Sequence, residues 1–410
     1  MSGIAPAGNE PPGAAQQPRP VGKTIAALGT AQTLAWASSY YLPAVLADAQ
    51  AKSLGLPTSA LFLAFSAALL ISGLLGPQIG KLIDQHGGRH LLMLSSTLFA
   101  LGLTILGLSQ GMISVGIAWV ILGIAMGMGL YEAAFATLVV AYGQHARKAI
   151  TGITLLAGFA STVGWPATTW LVHTFDWRTA CFVWAVAHVL IGLPLNVLMP
   201  NTRHTVLKSE SAVEAASGAV PISSATMRIT ILMAIAFGLA WFIATAMATH
   251  LPRLLQAAGA TPVAALSAAA LVGPMQVMGR IAEFGWLRHH HALISARFAA
   301  ALHPIGVVVM LAMGGPAVFV FTAMHGMGNG IMTIAKGTLP LAIFGPDGYG
   351  ARLGLLMAPA RIGQAFAPLL FGFCLDRWGA GAAWLSGMAG TLAFLALLCI
   401  HLPASTGQPR

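Results

Sequence analysis

Charge is what this sequence has least of. Asp, Glu, Lys and Arg make up 7% of the 410 residues, against about 25% in an ordinary soluble domain. Hydrophobic residues reach 57% and mean hydropathy is +0.81, which excludes a soluble globular fold and makes the chain an all-α membrane protein. Acidic residues are scarcer than basic ones, 10 against 20, for a net charge of +10. A basic balance can serve nucleic acid, but here the cations are scattered between apolar runs and no RNP-like or Cys/His signature accompanies them, so no nucleic-acid partner is expected. The chain has three cysteines: Cys181, Cys374 and Cys399 lie in apolar segments without CxxC spacing. They support neither a disulfide framework nor a metal site, and core packing is the expected role. No nucleotide loop, HExxH or serine elbow is present, so neither an enzyme nor a cofactor is expected.

Against these absences stand twelve apolar runs of about 20 residues, each long enough to cross roughly 30 Å of hydrocarbon as a helix. They cover 24–48, 59–79, 91–110, 113–141, 149–173, 178–199, 227–251, 262–282, 293–313, 317–343, 351–374 and 382–402. Residues 1–23 read as a disordered cytoplasmic tail, 200–226 as a cytoplasmic linker between halves at 24–199 and 227–402, and 403–410 as a second tail. With the N-terminus inside, fourteen of the 20 Lys and Arg face the cytoplasm and four, Lys52, Arg178, Arg253 and Arg377, face out. That asymmetry sets the orientation and places both termini in the cytoplasm.

The halves repeat. GKLID at 80–84 returns as GRIAE at 279–283, and GMG at 127–129 returns at 326–328, both at an offset of 199. Ala149, Gly152 and Pro166 return as Ala351, Gly354 and Pro368 at an offset of 202. Two parallel six-helix halves are the layout associated with alternating access around a midplane site.

The segment IGKLIDQHGGRH (79–90) resembles the signature loop of the major facilitator superfamily, with Gly80, Leu82, Asp84, Gly87 and Arg89 in the matching places. QHGG at 85–88 departs from the arginine-containing spacing usual there. The segments 130–153 and 176–185 are similar to that superfamily's fourth-span exit and sixth-span start, and the likeness runs over 24–402. It implies a secondary carrier gated by loop clusters at Gly80, Asp84, Gly87 and Arg89 and at Gly279, Arg280 and Glu283. A fainter likeness of LAWASSYYLPAV (34–45) points toward the monocarboxylate and oxalate/formate branch. The stretch GFASTVGWPATTW (158–170) lacks the GPxxGG ending of drug exporters.

Three ionisable residues lie well inside predicted spans, where each costs several kcal/mol and usually faces a cavity or a partner. They are Glu132 in span four, Lys336 in span ten and Arg361 in span eleven. Arg361 offers a permanently charged fork suited to an oxyanion, the alternative being a buried tie to Glu132. Lys336 is a second substrate contact or an interfacial anchor. Glu132 is the candidate proton carrier. Trp36, Tyr40, Tyr41, Gln276 and Asn329 are further candidates for lining the pathway, each with aromatic packing or an interhelical bond as the alternative. His188, His303 and His325 read as packing histidines and His289, His290 and His291 as a solvated loop. The expectation is a monomeric carrier in the bacterial inner (plasma) membrane, moving a small, monocarboxylate-like organic anion with a proton. The alternative is a proton-driven exporter of a drug or metabolite.

Overall fold

No water reaches bilayer depth, so backbone N–H and C=O groups must be satisfied within the protein, which for an open chain means helices. The computed structural model describes residues 20–202 and 224–401, and among these every one of the twelve apolar stretches is helical and no strand occurs. Residues 1–19 of the predicted N-terminal tail, the predicted C-terminal tail and most of the predicted linker lie outside the described residues, whereas residues 21–23, read as tail, open the first helix.

Nine continuous stretches among the described residues are long and apolar enough to cross a membrane. Two of them, Met112–Thr174 with 63 residues and Tyr349–Leu398 with 50, greatly exceed the ~20 residues of one crossing. They turn back at Gly143 and Gly379, whose φ values of 54° and 53° are left-handed and sterically cheap for glycine. The first stretch, which the nine do not include, is broken into Val21–Ser38 and Pro43–Leu54, and its longer helix carries Lys23, Gln32 and three threonines.

The second span, Thr58–His86, has 29 residues and runs well past its predicted end at 79. Nothing in 80–86 breaks a helix, so Asp84 sits on the helix and the turn comes at Gly87, with φ 78°. The third span is Arg89–Gly107. The fourth is interrupted at Leu130, between Met112–Gly129 and Tyr131–Tyr142. The fifth comprises Ala146–Ala157 and Ala160–Thr174. In the sixth, Trp177–Ala187 continues through a π turn, His188–Gly192, to Leu193–Val197. The seventh is Ser224–Ala257, and the eighth comprises Pro262–Ala270 and Val272–Gly285. The ninth to twelfth are Ala292–Met313, Val318–Phe344, Tyr349–Trp378 and Ala383–Leu398.

Packing repeats between the halves as the sequence does. Spans 2 and 4, 3 and 4, 1 and 5, and 3 and 6 adjoin in the first half. Spans 8 and 10, 9 and 10, 7 and 11, and 9 and 12 adjoin in the second. Small residues let these backbones approach: Gly123 lies on the backbone of Ala68, Gly279 on that of Met327 and Gly330 on that of Gln276. The tightest seam joins the halves, where Gly80 meets the Gly350 carbonyl and Gly354 meets Gly76. Both pairs lie toward the Gly87 end of span 2 and the Gly348 end of span 11. Leu63, Leu74, Ile113 and Leu369 are exposed and belong to a lipid-facing surface. Cys181 and Cys374 are buried as expected, whereas Cys399 is exposed because it follows the last residue of the twelfth helix.

Candidate functional site

The break in span four is made by packing rather than by a helix-breaking residue. Gly127 and Gly129 are pressed against Ser72 and Ser95, the chain extends at Leu130 (φ −88°, ψ −170°), and a new helix starts at Tyr131. Gln32 of span one donates to the Gly129 carbonyl at 2.6 Å. Glu132 therefore stands in the first turn of a helix, where free N–H groups and the helix dipole favour a negative charge.

Two cations from the other half reach this carboxylate. Lys336 Nζ donates to Oε1 at 3.1 Å and Arg361 Nη2 donates to Oε2 at 3.0 Å. The side chains of Lys336, Arg361 and Glu132 are 1%, 4% and 14% exposed. Arg361 also donates from Nη1 to Gln364 Oε1 at 3.0 Å, and its stem lies across Gly73 of span two, where a methyl group would collide with it. Trp241 of span seven stacks beneath both cations, 4.2 Å from Lys336 Nζ and 6.0 Å from Arg361 Cζ. Tyr131 lies 5.3 Å from Lys336 Nζ on another side. One carboxylate thus neutralises one of two buried cations, and the trio keeps a net positive charge at a depth where an unbalanced charge is costly.

The two loop clusters expected to act as gates lie toward the Gly87 end of span two and the Gly285 end of span eight. Asp84 accepts the N–H groups of Gly350 and Ala351 at 2.8 Å each, capping the start of span eleven. Across the pseudo-symmetry, Glu283 of span eight accepts from Arg147 Nη2 at 3.0 Å, and the same guanidinium bonds the carbonyls of His290 and Leu287. The halves are therefore joined at both the Asp84 and the Glu283 contacts. His289 and His290 are exposed, while His291 caps the ninth helix by accepting the Leu293 N–H at 3.1 Å. Burial, with Arg147 and Arg297 nearby, lowers the His291 pKa.

An aligned pair of six-helix halves meeting at a buried ionic cluster narrows the possibilities to one architecture, and the family profile described as Major Facilitator Superfamily matches residues 28–321. The chain belongs to the major facilitator superfamily. A 38 kDa protein of the 23S RNA operon of Thermoproteus tenax is 27% identical over 371 residues, covering 89% of this chain and 92% of that one. Among solved structures, the human organic anion transporter MFSD10 superposes with a TM-score of 0.69 at 15% identity, covering 92% of this chain and 99% of its own. The proton:xylose symporter XylE gives 0.68 at 14% identity over 92% and 96%. FucP in the outward conformation gives 0.66 at 14% over 91% and 97%. These similarities agree on the superfamily fold. As a superfamily member, the protein is an integral multi-pass membrane transporter of small solutes and not an enzyme.

Within this superfamily fold, the predicted residues separate into groups. Arg361, Lys336 and Glu132 come together. Trp36 is buried, with its ring 4.8 Å from Tyr131, 5.1 Å from Tyr40 and 6.2 Å from Tyr41, so the span-one aromatics reach Lys336 through Tyr131. Asn329 lies two turns from Lys336 on the same helix, in a crevice of the second half beside His303 and His325, whose Nδ1 atoms are 3.0 Å apart. His188 bonds Ser38 at 2.7 Å. The backbone of Gln276 packs on Gly330 in the seam between spans 8 and 10. Gly80, Asp84 and Glu283 take part in contacts between the halves, Gly279 lies in the seam between spans 8 and 10, and Gly87 makes the turn into span three, which begins at Arg89. Sequence reasoning missed Trp241, Tyr131 and Gln32 as site residues. For Trp241 the available signal was a mid-span tryptophan, and for Gln32 an amide inside an apolar run.

Proposed function

We propose that this superfamily member carries a small, monocarboxylate-like organic anion together with a proton. The observation supporting this reading is the pair of buried cations sharing one carboxylate. An anion entering between Arg361 and Lys336 replaces Glu132 as their partner and cancels the surplus charge. A buried carboxylate stripped of its cations is strongly disfavoured in its ionised form, so Glu132 takes up a proton; the loaded site then carries the same single positive charge as the empty one, but the carboxylate no longer ties the halves together and they can rock. The Asp84 and Glu283 clusters hold the cytoplasmic side shut until then. That such a fold serves anions and proton symport is consistent with the human organic anion transporter and the xylose symporter of similar architecture. The carrier would work as a monomer in a bacterial inner membrane with both termini cytoplasmic.

The test is thermal stabilisation of the purified protein by a panel of small carboxylates, phosphonates, cations and neutral drugs, with wild type beside Arg361→Gln. Stabilisation by an anion in wild type, absent in the variant, is the expected outcome. Stabilisation by cationic or neutral compounds that survives the substitution would make the protein an exporter with Arg361 as a structural charge.

A further inference from the structure

Span ten carries a row of polar side chains that ends at the trio. Thr322, His325, Asn329, Thr333 and Lys336 recur at intervals of three and four, which puts them on one face of the helix Val318–Phe344. His325 is 4% exposed and meets His303 of span nine, 6% exposed, with the two Nδ1 atoms 3.0 Å apart. A hydrogen bond between two ring nitrogens needs a proton on one and a bare lone pair on the other. In the uncharged pair, the ring that holds the shared proton has a bare Nε2, and its partner has a protonated one. His303 Nε2 is buried without a hydrogen-bond partner, and so is the hydroxyl of Thr322, one turn nearer the Val318 end.

Both rings line a crevice of about 390 Å³ together with Asn329, Met332, Ala240 and Gly390. Its polar lining supplies the partners that ordered water needs. From His325 to Met332 it follows span ten for about 10 Å, and Ala240 adjoins Trp241, the ring beneath Lys336. Helix side chains lean toward the N-terminus, so Lys336 reaches back along the one remaining turn toward Met332. Lys336 Nζ in turn donates to Glu132.

Orphaned polar atoms at this depth carry their full desolvation cost, and ionisable groups inside membrane helices mark ion and proton pathways. The ionisable residues on the surrounding helices are engaged elsewhere. Arg297 of span nine bonds the carbonyls of Leu397, Leu398 and Ile400. In span seven, Arg253 pairs with Asp376, His250 bonds the Pro368 carbonyl and Arg228 lies near the Ser224 end. Span twelve, Ala383–Leu398, has none. An imidazolium kept in the crevice would be an uncompensated charge, so the pair suits passing a proton rather than storing one.

Resting on the proton coupling proposed above, we infer that His303 and His325 form a proton relay that, with water in the crevice, supplies Glu132 by way of Lys336. A proton lands on the bare Nε2 of one ring. The shared proton crosses from that ring's Nδ1 to the Nδ1 of the other, and the second ring releases the proton on its Nε2. No charge stays on the pair. Lys336 hands a proton to Glu132 and takes one back from the crevice.

Two measurements on the full-length protein test the relay. The first needs no cargo: ¹⁵N-histidine NMR in lipid bilayers follows the proton shared by the two Nδ1 atoms after transfer to D2O. Exchange within minutes is expected, and a shared proton that persists for hours overturns the relay. The second uses proteoliposomes with pyruvate, lactate and glycolate as probes, protein-free vesicles being subtracted. It sets proton entry driven by a pH gradient, read with an internal dye, beside exchange of labelled for unlabelled anion, which moves no net proton. His303→Asn and His325→Asn each place an amide where Nδ1 stood, keeping a hydrogen bond while losing the ability to pass a proton. Proton entry is expected to fall by about tenfold or more, with exchange retained. Proton entry at the wild-type rate in both variants overturns the relay and leaves the coupling reading standing. Equal loss of entry and exchange also overturns it, because the histidines would then be packing groups. Wild type that moves no proton with any of the three anions defeats the coupling reading and the relay with it.

Discussion

Glu132 of the first half and Arg361 of the second meet at 3.0 Å in the membrane interior, and the bond joins the two bodies whose relative motion would carry a solute across. An ion pair in that place holds only while the halves stay in register. Lys336 holds the other oxygen at 3.1 Å, so one carboxylate of the first half ties down two buried cations of the second.

Glu132→Gln is expected to leave exchange of labelled for unlabelled anion across proteoliposomes intact and to abolish accumulation driven by a pH gradient. Without the carboxylate, two buried cations lose their partner, and breaking such a pair costs about 3–5 kcal/mol. The variant should therefore melt at a lower temperature than wild type and recover much of the difference when the anion is added. Equal loss of exchange and accumulation would assign Glu132 a structural role.

The seam between spans 2 and 11 depends on the absence of side chains at Gly80 and Gly354. A Cβ on Gly80 falls on the Gly350 carbonyl, and one on Gly354 falls on the Gly76 backbone. Gly80→Val should weaken the closed state by about 1–3 kcal/mol, the usual cost of overpacking. Asp84→Ala, which removes the acceptor for two N–H groups of span eleven, should act in the same direction by about 0.5–2 kcal/mol. Labelling of a cysteine introduced on the cytoplasmic face of span eleven checks both. Faster labelling than in the parent protein is the expected result.

Arg147 and Glu283 form the corresponding contact at span five, with Glu283 1% exposed and Arg147 29%. Arg147→Met leaves a buried carboxylate without its cation and should destabilise the protein by several kcal/mol, on the order of 3. Adding Glu283→Gln should restore most of the loss. A double-mutant cycle in thermal melts measures the coupling, and simple additivity would show that the pair does not interact energetically.

Much of this arrangement was legible in the sequence, for identifiable reasons. A charge inside a run of about 20 apolar residues is visible by contrast, which singled out Glu132, Lys336 and Arg361, and the repeat offsets placed spans four and ten as equivalents. The interruption at Leu130 was not visible, because leucine does not break helices; the close packing of Gly127 and Gly129 on neighbouring spans produces it. Trp241 was hidden for a related reason, since a tryptophan in an apolar helix reads as packing until a cation is found 4.2 Å from its ring. Arg280 was grouped with the gate because the repeat aligned it with the signature loop. It is 4% exposed, and its burial follows from where the eighth helix runs, which an internal repeat does not specify.

The central claim, that of the proposed function, is that an anion arriving at Arg361 and Lys336 displaces Glu132, which then takes up a proton. It is tested most directly by counting protons taken up on anion binding, using calorimetry at one pH in buffers of different ionisation enthalpy, with the stabilising anion from the panel. Wild type is predicted to take up close to one proton per anion, and Glu132→Gln to bind the same anion with none. No proton uptake by wild type, or the same uptake in both proteins, would contradict the account.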